Sequence, residues 1–95
     1  MTTTIDRPRD RTKDGNTTTF GSSQVVLYND DVNPFEYVVS AVMSVFGHAE
    51  PVARKVTMEA HTRGRAVAEV EDEENARKHA AELGAFGLRA EVEGF

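Results

Sequence analysis

The chain has 95 residues, 39% of them apolar and 28% charged, a composition that fits one soluble globular domain with a single core. Its net charge of -5 argues against a nucleic-acid binder, which needs clustered Lys and Arg to neutralise phosphates. There is no Cys to form a disulfide or thiolate metal site, no apolar run near the roughly 20 residues that span a bilayer, and no apolar secretory segment at the N-terminus.

Residues Met1 to Ser23 differ from the rest. Seven of the first twenty are Thr, charges of both signs are interspersed from Asp6 to Asp14, and the apolar residues are Met1, Ile5 and Phe20. Such a stretch buries too little surface to offset its ordering entropy, and it reads as a disordered arm. Its Asp6, Asp10 and Asp14 set it apart from acid-poor organellar transit peptides, so a bacterial cytoplasm is the expected location.

The folded domain is expected over residues 24–95. Gln24 to Tyr28 is β-branched and aromatic and reads as a strand. Asn29 to Pro34 breaks it, with Asn33 placed to cap a helix whose first residue is Pro34. In that helix Phe35, Val38, Val39, Val42, Val45 and Phe46 follow the i, i+3, i+4, i+7 spacing of a buried stripe, and Gly47 is its stop. A second helix starts at Glu50-Pro51 and runs to about Thr62, closed by Gly64. Arg65 to Val70 reads as the second strand. Asp72 caps a third helix that carries Glu73 and Glu74 in its first turn, where the dipole favours anions, and Gly84 ends it after Leu83. From Phe86 to Glu93 apolar and polar residues alternate, as in a final strand. The order β-α-α-β-α-β predicts an α+β domain, a three-stranded antiparallel sheet packed against three helices.

Nothing in the chain resembles a catalytic constellation. His48, His61 and His79 are spaced by 13 and 18 residues, which fits no standard metal motif, so neither metal nor cofactor is expected. Asn29-Asp30-Asp31 at a strand end reads as a turn cluster, and His61 near a helix C-terminus as an imidazole meeting the dipole. Taken together they suit another task. A free α-amino group is a cation with three donors, and a carboxylate, an amide oxygen and an imidazole nitrogen would accept them. Asn29 and His61 lie 32 residues apart, which leaves their convergence open. An enzymatic alternative, with His61 and Asp30 as an acid–base pair, has no second catalytic partner in the sequence.

Val25 to Val39 (VVLYNDDVNPFEYVV) resembles the opening of the ClpS family, N-degron adaptors of Clp proteases, which reads NDDxTPMEFV there. Glu59 to Val67 (EAHTRGRAV) resembles the family's ExHxxGKAxx stretch at the matching separation. The resemblance covers residues 24–93. It implies the same element order and a non-enzymatic adaptor that binds proteins beginning with Phe, Tyr, Trp or Leu. Asn29, Asp30 and His61 stand at the positions that bind the amine. Leu27, Asn33, Phe35, Val38, Thr57, Ala60 and Leu88 stand at those of an apolar pocket for the first side chain. The implied partner is the N-terminal domain of a ClpA- or ClpC-type unfoldase, contacted by Glu74 and by His79, with Lys78 beside it. The arm is implied to engage the unfoldase during handover, and the default state is a monomer.

Three positions depart from the family pattern. Phe35 replaces Met, Thr57 stands where Met is common, and Ala60 where Val is common. Met58 is one residue off, which turns its side chain by about 100°. Smaller Thr57 and Ala60 enlarge one wall while Phe35 fills another, so a preference for aromatic first residues over Leu is expected. Two other readings share the fold: a relative of the ribosomal stalk protein's C-terminal domain, which need not keep an amine trap, and a degenerate adaptor that docks on the unfoldase without binding N-degrons.

Overall fold

In the computed structural model, which describes residues 23–94, the β-branched run forms β1 (Ser23–Tyr28), where Val25, Val26 and Leu27 are wholly buried. The strand starts one residue before the sequence suggested and takes in Ser23, the last residue of the expected arm; the rest of that arm lies outside the described residues. The other elements follow as α1 (Phe35–Phe46), α2 (Glu50–Arg63), β2 (Arg65–Glu71), α3 (Glu73–Ala85) and β3 (Ala90–Gly94). The α+β order is the one the sequence predicts.

The sheet order is β2-β1-β3, with both pairings antiparallel. β1 therefore occupies the centre, which suits its apolar residues. Its pairing with β2 runs from Ser23↔Glu71 to Tyr28↔Arg65 and shifts between Val25 and Val26. Val25 pairs with Glu69 and Val26 with Val67, so Ala68 is the extra residue of a bulge. The helices lie against Val25, Leu27, Ala66 and Ala68, and the core is completed by Val38, Val39, Ala41, Val42, Ala53, Val56, Ala60, Ala76, Leu83 and Leu88. Each fully buried Val or Leu in it contributes about 1.5–3 kcal/mol of transfer free energy.

The helix ends show where local signals were obeyed and where they were overruled. Asp72 caps α3 as expected, accepting from the Asn75 N–H at 2.9 Å. Asn33 does not cap α1. Pro34 holds the cap position with extended backbone (ψ 150°), and its carbonyl accepts from Tyr37 and Val38. The Asn33 side chain is used elsewhere, in the pocket described below. Gly84 does not end α3 either: the helix continues to Ala85, and Gly87 is the left-handed residue (φ 87°). Leu88 N–H donates to Leu83 O at 3.1 Å and Gly87 N–H to Gly84 O at 2.9 Å, the paired bonds of a Schellman motif. Its apolar contact is supplied by Leu83 and Leu88, both buried. That motif takes up residues 86–88, so the last strand begins at Ala90 rather than Phe86, although Ala90 and Val92 do face the core.

Candidate functional site

At the C-terminal end of β1 the chain turns through Asn29–Asn33 into α1, and the end of α2 comes alongside. One backbone bond joins the two: Asn29 N–H donates to Gly64 O at 2.9 Å. Gly64 makes that carbonyl available by closing α2 with φ 93°, a conformation that would strain a side chain. The bond brings residues far apart in sequence to one place. A pocket of about 260 Å³ opens there, lined by Leu27, Tyr28, Asn29, Asp30, Asp31, Asn33, Phe35, Val38, Thr57, Ala60 and His61.

The three residues matched to amine binding, Asn29, Asp30 and His61, all line this pocket, as do six of the apolar-pocket set: Leu27, Asn33, Phe35, Val38, Thr57 and Ala60. Leu88 is not among the lining residues; it is buried in the core as the apolar end of the Schellman motif. Tyr28 and Asp31 also line the pocket, although the sequence marks Tyr28 only as a strand residue and Asp31 only as part of the turn cluster.

The polar rim is organised by Asp30. One carboxylate oxygen accepts from the Val32 N–H at 2.7 Å and the Asn33 N–H at 2.9 Å; the other accepts from Asn33 Nδ2 at 2.7 Å. Partial burial pushes the Asp30 pKa up, but the bonds from the Asn33 side chain, Asn33 N–H and Val32 N–H outweigh this and hold it below the usual value. The site therefore carries a fixed negative charge at neutral pH. The second Asn33 Nδ2 contact reaches Gly87 O at 3.4 Å, tying the rim to the end of α3. Asn29 Nδ2 donates to Asp31 Oδ1 at 3.1 Å, which leaves the Asn29 carboxamide oxygen as its uncommitted acceptor. His61 is exposed, and its ring has no hydrogen-bond partner among the described residues.

The walls below this rim are apolar, including the one built by Thr57. Its hydroxyl, wholly inside the fold, donates to Ala53 O at 2.8 Å one turn back along α2. With its proton committed to Ala53 O, the Thr57 hydroxyl has no donor left for a ligand. The arrangement joins an anionic, acceptor-rich mouth to an apolar cavity, which is what a ligand with a cationic head and a bulky apolar body requires. No group of three or more His, Asp or Glu able to hold a metal is found among the described residues, and no described helix is long and apolar enough to cross a membrane.

The residues matched to the unfoldase contact lie elsewhere, on α3. Glu74 and Lys78 are exposed, and neither is in an ion pair among the described residues. His79 differs: its Nδ1–H donates to Glu71 Oε2 at 2.7 Å and its ring packs edge-on against Phe46. A carboxylate partner eight residues away in another element could not be read from the sequence.

Comparison with known proteins identifies a family. Residues 21–91 match the family model of the ATP-dependent Clp protease adaptor protein ClpS. The ClpS adapter of Synechococcus elongatus is 39% identical over 71 residues, which cover 74% of this chain and 75% of that protein. The ClpS adapter of Mycobacterium tuberculosis is 31% identical over 68 residues, covering 72% and 67%. Among solved structures, Agrobacterium tumefaciens ClpS2 bound to L-phenylalaninamide superposes with a TM-score of 0.74 at 33% identity, covering 77% of this chain and 95% of that one. The chain belongs to the ClpS family of ATP-dependent Clp protease adaptors.

Proposed function

We propose that this protein binds the free N-terminus of proteins that begin with a bulky hydrophobic residue, Phe, Tyr, Trp or Leu, and delivers them to a ClpA- or ClpC-type unfoldase. The observation that carries this reading is the meeting of Asn29, Asp30 and His61 at the mouth of one apolar-walled pocket. An α-ammonium group brings three N–H donors and a charge. The Asn29 amide oxygen, the His61 ring nitrogen and the charge of the Asp30 carboxylate answer them. L-phenylalaninamide, the ligand of the Agrobacterium relative, has that chemistry: a free amine, an aromatic side chain and an amide in place of the next peptide unit. A charged rim fixes the terminus, and an apolar cavity reads the side chain.

In this reading Leu27, Asn33, Phe35, Val38, Thr57 and Ala60 form the side-chain pocket, and Leu88 supports it from the core. The small Thr57 and Ala60 and the rigid Phe35 favour flat aromatic side chains over Leu. Equal affinity for Phe and Leu peptides is the result that would remove this preference. The protein acts as an adaptor, without catalysis of its own, in the cytoplasm and as a monomer. On α3, Glu74 and Lys78 are the accessible charges for the unfoldase's N-terminal domain; His79 reaches it only by giving up Glu71 or by presenting its ring edge.

The test is fluorescence anisotropy with labelled peptides starting with Phe, Leu, Met and acetyl-Phe. Binding of free Phe that is lost on acetylation is the expected result. Equal binding of acetyl-Phe would overturn the amine trap. A second reading is favoured by one observation: both Asp30 oxygens are already engaged inside the turn. In it the protein docks on the unfoldase and alters substrate choice without binding N-degrons. Binding of none of the peptides, together with binding to the unfoldase domain, is the outcome that selects it.

A further inference from the structure

The pocket's apolar walls come from two helices. Phe35 and Val38 belong to α1, while Thr57 and Ala60 belong to α2. The width of the cavity therefore depends on how α1 and α2 are held apart. Directly after Phe35 stands Glu36, and both its carboxylate oxygens are gripped by one guanidinium: Arg54 Nη2 donates to Oε1 at 2.7 Å and Nη1 to Oε2 at 2.8 Å. The third arm of the same guanidinium, Nε, donates to Glu50 Oε2 at 2.9 Å in the first turn of α2. On α2, Arg54 precedes Thr57 by three residues and His61 by seven, so the three follow one stripe of the helix. The ion pair thus spans the α1–α2 seam, one residue from one wall of the pocket and one turn from the other.

We propose that the Glu36–Arg54 pair is a brace that sets the separation of the pocket's helical walls, and thereby which first side chain fits. This rests on the reading of the pocket as an N-terminus site. A two-pronged guanidinium–carboxylate pair fixes distance and angle together, whereas a single charge fixes neither. Glu36 is exposed at 69% and Arg54 partly so at 41%, so the pair adds little to overall stability and its removal leaves a folded protein. Selection between Phe and Leu depends on small differences in fit, and a pocket of this kind discriminates by modest factors that slight wall movements change. Neither Glu36 nor Arg54 lines the cavity. They are positioning residues, acting through Phe35 and Thr57.

The experiment measures anisotropy of free-amine Phe and Leu peptides with wild type, Glu36→Gln, Arg54→Gln, the double variant and Arg54→Lys, alongside thermal unfolding of each. The Phe-to-Leu affinity ratio is expected to shift by about two- to fivefold in each single variant. The double variant should shift it no further, because the partners act as one unit. Arg54→Lys should fail to restore the wild-type ratio, since an ammonium group cannot grip both oxygens. A merely structural role would lower the melting temperature and weaken both peptides equally, leaving the ratio where it was. That outcome overturns the brace while leaving the site intact. Wild type that binds neither peptide overturns the N-terminus reading and the brace with it.

Discussion

The three histidines divide the molecule into two kinds of environment. At the pocket, His61 is exposed and its ring meets no partner among the described residues. At the junction of α1, β2 and α3, His48 and His79 are half-buried, both rings pack on Phe46, and each faces a carboxylate of β2. His48 Nε2–H is shared between Ala68 O at 2.9 Å and Glu69 Oε1 at 3.1 Å, so the bulge at Ala68 is covered by a side chain as well as spaced by one. The contrast is between imidazoles with one ring nitrogen committed to the fold and one with neither committed among the described residues. Only the second kind can meet a ligand through either ring nitrogen.

The sharpest way to break this contrast is to remove each ring. His61→Ala should weaken binding of a free-amine Phe peptide by about tenfold or more, as expected for a hydrogen bond to a charged group, with thermal stability nearly unchanged. His48→Ala and His79→Ala should do the reverse, lowering the melting temperature and leaving peptide affinity intact. Anisotropy and thermal unfolding on the same three variants decide the matter. If His61→Ala binds like wild type, the ring takes no part in the site.

Asp30 blurs the contrast, because it belongs to both kinds. Its carboxylate holds the turn through three bonds and also charges the pocket mouth. Asp30→Ala should therefore cost about 1–2 kcal/mol of stability, comparable to the loss of a helix cap, and also weaken free-amine peptides. Its double effect separates it from His61, whose loss should show in affinity alone. An Asp30→Ala protein with normal affinity would reduce this residue to a turn former.

Much of this was legible in the sequence, and what was not has a physical cause. Element order followed from periodicity and from Gly47, Gly64 and Asp72, because those signals act within a turn or two of the chain. Gly84 misled because an isolated glycine is tolerated in a helix. The sequence could not say which of Gly84 and Gly87 would adopt positive φ until Leu88 had found its place in the core beside Leu83. Asn33 looked like a cap, but the carboxylate of Asp30 three residues earlier competes for its side chain and wins. The site was legible only in pieces. Asn29 and His61 meet through a bond between Asn29 and Gly64, and no local pattern announces it. The pairs His79–Glu71 and Arg54–Glu36 are equally tertiary.

The two histidines paired with carboxylates give the fold a pH dependence. The hydrogen bond to Glu69 holds the His48 pKa above its ordinary 6.5 despite the opposing effect of burial. The bond to Glu71 does the same for His79, again against burial; the neighbouring Glu82 adds to the rise and Lys78 opposes it. A group whose pKa is raised on folding stabilises most when protonated. Its contribution is complete below about 6.5, the unfolded value, and is lost as pH rises through the folded pKa. Melting temperature should therefore fall as pH is raised from about 6 through the range just above 6.5. The His48→Ala/His79→Ala double variant should flatten that fall. A wild-type profile flat over the range would mean that the two carboxylates do not stabilise the charged rings.

The smallest expected effect tests the apolar wall. Thr57 is buried, and its hydroxyl proton is committed to Ala53 O at 2.8 Å, so it has no donor to offer a ligand in the pocket. Thr57→Val keeps the shape and replaces the hydroxyl by a second methyl. The Ala53 carbonyl retains its helical bond, so the lost hydrogen bond should cost about 0.5–1.5 kcal/mol of stability at most. Affinity for a Phe peptide should stay within about twofold, because nothing the ligand touches has changed its polarity. Thr57→Met is the contrasting variant: it adds bulk to the same wall and should weaken aromatic peptides more than Leu peptides. If Thr57→Val instead loses Tyr or Trp peptides selectively, the hydroxyl turns to the ligand when the pocket fills. The wall opposite Phe35 would then read polarity as well as shape.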